Sequence, residues 1–91
     1  MGQKWRTQMA GTIINHQLIL YMRPDCHLCD QVIALLRAGQ IGFLSQDIEE
    51  DPELERKYGL LIPVLYLPAT GHELFFPFDE SQVRQFLGEQ E

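Results

Sequence analysis

The sequence predicts an α/β domain in which a four-stranded mixed sheet carries helices on both faces. Apolar runs of strand length alternate with segments whose apolar residues recur at helical spacing, in the order strand, helix, strand, helix, strand, strand, helix. The first two strands are joined through a helix and should pair in parallel, whereas the last two are joined by a turn and should pair antiparallel. The length of 91 residues fits one such domain.

The first half of the chain supplies a strand, a helix and a weaker strand. Residues 18–22 form an apolar run short enough to be a strand buried on both faces. Pro24 ends it, because proline cannot continue a central strand. The spacing of Leu and Val side chains predicts a helix over residues 27–38, with Gly39 as its stop. Residues 41–48 form a second, less regular strand.

A short helix and a hairpin come next. Asp51 can cap the free amides of a helix whose first position is Pro52, and this helix should end near Gly59. Residues 63–67 and 72–76 are strand-like runs separated by a turn, which is the pattern of a β-hairpin.

We expect regular structure at the C-terminal end of the chain and little at the N-terminal end. Asp79 should cap a last helix, with Gln82 at the reciprocal position of a capping box. Residues 1–15 show no clean periodicity, so we predict a loose N-terminal extension there and a folded domain over residues 16–91.

Charge and hydropathy exclude two classes of partner. Thirteen acidic and seven basic residues give a net charge of −6, without the Lys/Arg cluster that nucleic acid requires. No apolar run approaches the length of a membrane helix, and the start lacks a signal peptide. We therefore expect a cytoplasmic monomer without nucleic-acid or membrane partners. The acidic residues between positions 49 and 55 are interpreted as a solvated helix start.

Cys26 and Cys29 are the candidate chemical site. Two cysteines at this spacing are typical of dithiol redox sites, half of a zinc site, or iron–sulfur ligation. The three histidines do not stand at finger-like spacing, and one chain offers only two thiolates, so a redox pair without metal is favoured. Two incidental buried cysteines are the simpler alternative.

The position of the pair predicts different roles for its members. Cys26 stands at a helix N-terminus, where free amides and the helix dipole favour a thiolate, the nucleophilic form of cysteine. Cys29 lies one turn later on the same face, placed to resolve a mixed disulfide. The neighbouring carboxylates of Asp25 and Asp30 should partly oppose thiolate formation.

Two segments carry a family resemblance. Residues 23–29 (RPDCHLC) and 62–64 (IPV) resemble the glutaredoxin-like branch of the thioredoxin superfamily, and the likeness extends over about residues 17–88. Within that branch, the sequence is similar to a compact bacterial group in which a Phe-Asp pair, here Phe78 and Asp79, precedes the last helix. The resemblance implies a thioredoxin-like fold and a thiol–disulfide oxidoreductase. Its substrates would be protein disulfides or glutathione mixed disulfides, with no bound cofactor and with glutathione as a candidate reductant.

The resemblance also implies three substrate-binding residues. Arg23 stands where the family has a glutathione-contacting lysine, although a plain surface cation is the competing interpretation. Pro63 corresponds to a cis-proline that packs against the thiol pair, and the backbone of Ile62 would pair with an incoming substrate.

One segment departs from the family. The Gly-Gly-x-Asp-Asp stretch that binds glutathione is replaced by residues 76–80, which carry two phenylalanines and a proline. We therefore expect weak glutathione binding. The alternative function is a non-catalytic thioredoxin-fold adaptor whose cysteines sense redox state or hold a metal cluster.

Overall fold

The computed structural model describes residues 17–88, so the predicted extension over residues 1–15 lies outside the described residues. The first part of the described chain has the predicted strand, helix and strand. These are β1 (Ile19–Met22), α1 (His27–Ala38) and β2 (Leu44–Asp47).

The second part adds a short helix, a hairpin and a final helix. A single 3₁₀ turn, Ile48–Glu50, links β2 to these elements. They are α2 (Pro52–Tyr58), β3 (Val64–Leu67), β4 (His72–Phe75) and α3 (Glu80–Leu87). The predicted order of elements is therefore confirmed.

The strands form one mixed sheet in the order β2-β1-β3-β4. Strand β1 pairs in parallel with β2 and antiparallel with β3, and β3 and β4 form the antiparallel hairpin. Tyr21 lies opposite Val64 in this register. The end of β1 therefore lies beside the start of β3. The segment that follows β1 and the segment that precedes β3 are thus at the same end of the sheet.

Side-chain caps begin the last two helices, as the sequence predicts. Asp51 accepts the Glu53 amide at 2.9 Å at the start of α2. Asp79 accepts the Gln82 amide at 2.8 Å, and the Gln82 side chain accepts the Asp79 amide at 2.9 Å, which completes the capping box of α3.

Helix α1 ends at Gly39, as the sequence predicts. This glycine does not take a left-handed conformation, since its φ is −85°, and Gln40 takes it instead with φ of 58°. Two residues of α3 lie close to it. A Cβ at this position would lie 3.0 Å from Cδ of Glu80, and the Gly39 carbonyl accepts a hydrogen bond from Arg84 at 2.7 Å. Helix α3 therefore packs closely on the end of α1.

Strand β2 is shorter than the predicted span of residues 41–48. At one end, the Ile41 amide donates to the Leu36 carbonyl at 2.9 Å, so this residue closes α1 instead of joining the sheet. At the other end, Asp47 accepts the Glu49 amide at 2.8 Å and begins the 3₁₀ turn. At each end of the predicted span, a local hydrogen bond therefore uses a backbone amide that would otherwise be available to the sheet.

Alternation along the strands divides the core between the two faces of the sheet. On one face, Leu20 and Leu65 pack with buried residues of α1 and α3, such as Val32 and Val83. The other face is covered by α2. Its cluster consists of Ile48, Tyr58 and Val64, with Tyr21, Leu54 and Ile62 packed against it. Helices therefore cover both faces, as predicted. Within residues 17–88, no helix has the length and apolar character needed to cross a bilayer.

Candidate active site

A tight turn leads from β1 to the cysteine pair. Pro24 is followed by Asp25 at φ of 61°, a left-handed conformation that aspartate tolerates better than most residues. The turn delivers Cys26 to the N-cap of α1, with extended backbone angles of φ −99° and ψ 109°. The first thiol therefore lies where the unpaired helix amides point.

Cys26 and Cys29 are joined by a disulfide, with 5.1 Å between their Cα atoms. The Cys29 amide donates to Sγ of Cys26 at 3.1 Å, so the sulfur itself caps the helix. Cys26 is partly exposed, whereas Cys29 has no exposed surface. The two cysteines therefore differ in exposure, with Cys26 the more exposed of the pair.

Ile62 and Pro63 lie at the same end of the sheet as the cysteine turn. The bond between them is cis, as the resemblance implies, and Pro63 is buried. The Ile62 amide donates to the Tyr58 carbonyl at 3.1 Å. The amide of Ile62 is thus already hydrogen-bonded within the protein. A peptide that pairs with this residue would have to donate a hydrogen bond to the Ile62 carbonyl.

Arg23 forms three contacts within the protein. Its guanidinium donates to Glu55 Oε2 at 2.8 Å, to the Gly59 carbonyl at 3.1 Å and to Glu49 Oε2 at 3.4 Å. The side chain is only 29% exposed. Arg23 is therefore not a plain solvated cation, and its role toward a ligand stays a prediction.

Glu49 and Glu55 are functional candidates that the sequence interpretation missed. Both belong to the acidic stretch interpreted as a solvated helix start, yet both turn toward Arg23. Only the fold brings them together, since 32 positions separate Arg23 from Glu55. The available signal in the sequence was that Arg23 is a lone cation in an acidic neighbourhood, which favours pairing with a carboxylate.

A tyrosine and a glutamate connect α2 to the hairpin. The Tyr58 hydroxyl donates to the Glu73 carboxylate, which also lies 3.4 Å from the Lys57 ammonium. The Tyr58 ring stacks on Tyr21, with 4.6 Å between ring centroids. Burial, followed by the hydrogen bond to Glu73, raises the pKa of Tyr58 well above its ordinary value. The Tyr58–Glu73 hydrogen bond thus connects the end of α2, from which the chain leads to Ile62, to strand β4.

This raised pKa predicts a loss of stability in alkali. Above pH of about 10 an unfolded Tyr58 releases its proton while the folded one retains it, so the free energy of unfolding falls as pH rises. The Tyr58→Phe variant should lose about 1 kcal/mol at pH 7 with its hydrogen bond, but should show a shallower alkaline decline. Urea unfolding between pH 7 and 11 measures both. Equal alkaline slopes in the two proteins would contradict the assignment.

The aromatic stretch that replaces the family's glycines is partly core. Phe78 is buried in the main cluster, Phe76 packs against that cluster, and their rings meet edge to face at 5.7 Å. The Phe76–Pro77 bond is a second cis peptide. Phe75 is 43% exposed. Bulky side chains therefore fill the segment where glycines would leave the backbone open to a ligand.

Comparison with known families assigns the chain to one of them. The model of the family described as Glutaredoxin-like domain (DUF836) matches residues 17–88. The chain belongs to this glutaredoxin-like family. The match covers both segments that carry the resemblance, together with every element of the described fold. Among the curated proteins, no match was found.

Solved structures agree with this assignment. The X-ray structure of XcR50 from X. campestris is 45% identical, with a TM-score of 0.71 over 81% of this chain and 99% of that one. The solution structure of Ne2328 from Nitrosomonas europaea is 32% identical, with a TM-score of 0.65 over 77% and 87%. The thioredoxin-like protein BC3987, at 17% identity and a TM-score of 0.58 over 78% and 94%, shows the shared fold. The chain is therefore a glutaredoxin-like, thioredoxin-fold domain with a Cys26–Cys29 pair.

Proposed function

We propose that this glutaredoxin-like domain is a thiol–disulfide oxidoreductase in which Cys26 attacks the substrate and Cys29 resolves the intermediate. One observation carries the proposal: the two cysteines are bonded to each other, with Cys26 partly exposed at a helix N-terminus and Cys29 fully buried. The amide contact of 3.1 Å to the Cys26 sulfur supports the same assignment, because an amide donor stabilises a thiolate more than a thiol.

The reduced pair would act in two steps. The Cys26 thiolate attacks one sulfur of a substrate disulfide, the substrate S–S bond breaks, and a first substrate thiolate leaves and takes up a proton. Cys29 then loses its proton and attacks the Cys26 sulfur of the mixed disulfide, which releases the second substrate thiolate. Two electrons pass from the pair to the substrate. A thiol reductant, for which glutathione is our candidate, returns them.

Exposed leucines at this end of the sheet favour protein disulfides as substrates. Leu28 lies between the two cysteines and is 42% exposed. Leu60 is fully exposed and Leu61 is 47% exposed, in the turn that leads to Ile62 at the same end of the sheet. These side chains offer apolar contacts to an extended segment whose backbone pairs with the Ile62 carbonyl. Glutathione would find neither the glycine segment nor an unengaged Arg23, so we propose that it is the poorer substrate.

Stoichiometric reduction tests the proposal. The domain is reduced, freed of reductant and mixed with an equal amount of a peptide that contains one disulfide. We expect one peptide disulfide to be reduced for each Cys26–Cys29 disulfide formed, faster than by a free monothiol at the same concentration. Peptide reduction no faster than by that monothiol would contradict the proposal and favour the non-catalytic adaptor.

A further inference from the structure

The cation nearest to the cysteine pair in sequence is neutralised by the protein. Arg23 precedes Cys26 by three positions, and its guanidinium lies 2.8 Å from one carboxylate and 3.4 Å from another. Glu55 contributes the shorter of the two contacts, on a side chain that is 42% exposed. A free guanidinium would attract anions. This one is already paired.

The position of Glu55 is fixed by its surroundings. One carboxylate oxygen, Oε2, accepts from Arg23, while Oε1 is buried without a hydrogen-bond partner within the described residues. Gly59 supplies the adjoining backbone, and a Cβ there would lie 3.1 Å from Glu55 Oε2 and 3.5 Å from the Arg23 guanidinium. The missing side chain at position 59 therefore leaves space for this ion pair.

The surrounding charge is predominantly negative. Asp25 and Asp30 flank the cysteines in sequence and are exposed. Arg23, three positions before Cys26, carries the carboxylates of Glu49 and Glu55, so the segment that leads into the redox pair has more negative than positive charge. A charge near the reacting sulfur changes the local concentration of charged substrates through Coulomb attraction or repulsion, and salt screens this effect.

We propose that Glu55 is a specificity-determining residue: by engaging Arg23 it makes the redox site repel anionic disulfides and favour disulfides flanked by cationic groups. This inference rests on the proposed function and adds its substrate class. The preferred client is a disulfide in a Lys- or Arg-rich segment. Small carboxylate-bearing disulfides are disfavoured by charge as well as by the bulky 76–80 segment.

A series of three small disulfides tests the charge preference. Cystamine is a dication, bis(2-hydroxyethyl) disulfide is neutral and 3,3′-dithiodipropionate is a dianion. Each is mixed with the reduced domain under single-turnover conditions, and the rate constant of protein oxidation is measured for the wild type and for Glu55→Gln. Dividing the variant rate by the wild-type rate for each compound removes the intrinsic difference between leaving thiols.

Glu55→Gln keeps the side-chain shape and a carbonyl acceptor for Arg23 but removes one negative charge. Relative to its rate with the neutral compound, we expect the variant to react roughly threefold faster with the dianion and correspondingly slower with the dication at low ionic strength, since a change in the Cys26 thiolate population affects all three compounds alike. In Arg23→Gln/Glu55→Gln the gain with the dianion should be lost. Glu53→Gln is the matched control, because it removes the same charge from the same helix at an exposed position paired with Arg56.

The wild type alone provides a second measurement that needs no variant. Added salt should slow its reaction with the dication and accelerate its reaction with the dianion, whereas the neutral compound should be insensitive. Equal ratios for Glu53→Gln and Glu55→Gln, or rates of the wild type that do not depend on substrate charge, would overturn this inference alone. Failure of the reduced pair to react both with these three compounds and with the disulfide peptide would overturn the proposed function itself.

Discussion

Replacing Cys26 with serine should reduce the rate of disulfide reduction by roughly three orders of magnitude, to that of the background reaction. Cys26, partly exposed at the start of α1, is the member of the pair that we expect a substrate to reach, because Cys29 is completely buried. A serine hydroxyl at the same N-cap still accepts the Cys29 amide, so the helix start is retained while the nucleophile is lost. Stopped-flow or discontinuous thiol assays with a peptide disulfide measure the rate.

Cys29→Ser is the matched variant and should behave differently. Its Cys26 still attacks the substrate, but no second thiol resolves the product, so a mixed disulfide accumulates with the mass of the domain plus the attached peptide. Intact-protein mass spectrometry detects this species. The assignment of roles is wrong if Cys29→Ser is inert and Cys26→Ser forms the mixed disulfide.

Gly59→Ala should destabilise the domain by about 1–3 kcal/mol. The backbone at position 59 has φ of −54° and ψ of −34°, values at which alanine is ordinarily the better residue. A Cβ, however, would lie 2.6 Å from the Glu55 carbonyl oxygen, far inside contact distance, so the end of α2 must shift. The shift would also disturb the Arg23 contacts to the Gly59 carbonyl and Glu55.

Gly42→Ala is the control for this prediction. A Cβ at position 42 meets nothing within 4 Å, so the change should leave stability unchanged or raise it by less than about 1 kcal/mol. Urea unfolding of the two variants and the wild type gives the comparison. A stabilised Gly59→Ala would show that position 59 tolerates a side chain and that the close approach of Arg23 does not depend on the glycine.

The elements and their caps were predictable because their signals are local. Asp51 before Pro52 and Asp79 three residues before Gln82 specify helix starts through contacts within one turn. The cysteine pair was predictable for the same reason, since its spacing and its place directly after the first strand are features of one short stretch of sequence. The cis bond before Pro63 came from the resemblance alone, because a local sequence does not determine it.

Contacts between distant segments were not predictable. The pairing of Arg23 with Glu55 depends on how α2 lies against the turn after β1, and no periodicity reports that arrangement. Gly59 and Gly39 look alike as helix stops, yet only Gly59 faces a backbone atom that a side chain would strike, and the left-handed residue after α1 is Gln40. The engaged amide of Ile62 likewise follows from the turn that begins at Tyr58.

The central claim is that Cys26 and Cys29 interconvert as one unit between dithiol and disulfide, and thiol labelling tests it most directly. The protein is equilibrated with mixtures of reduced and oxidised dithiothreitol of increasing reducing power, quenched with an alkylating reagent and weighed by intact-protein mass spectrometry. Because the pair is intramolecular, with 5.1 Å between the Cα atoms, we predict only molecules with no label or two labels, exchanging in one two-electron transition. Two labels on the protein even under fully oxidising conditions would contradict the claim.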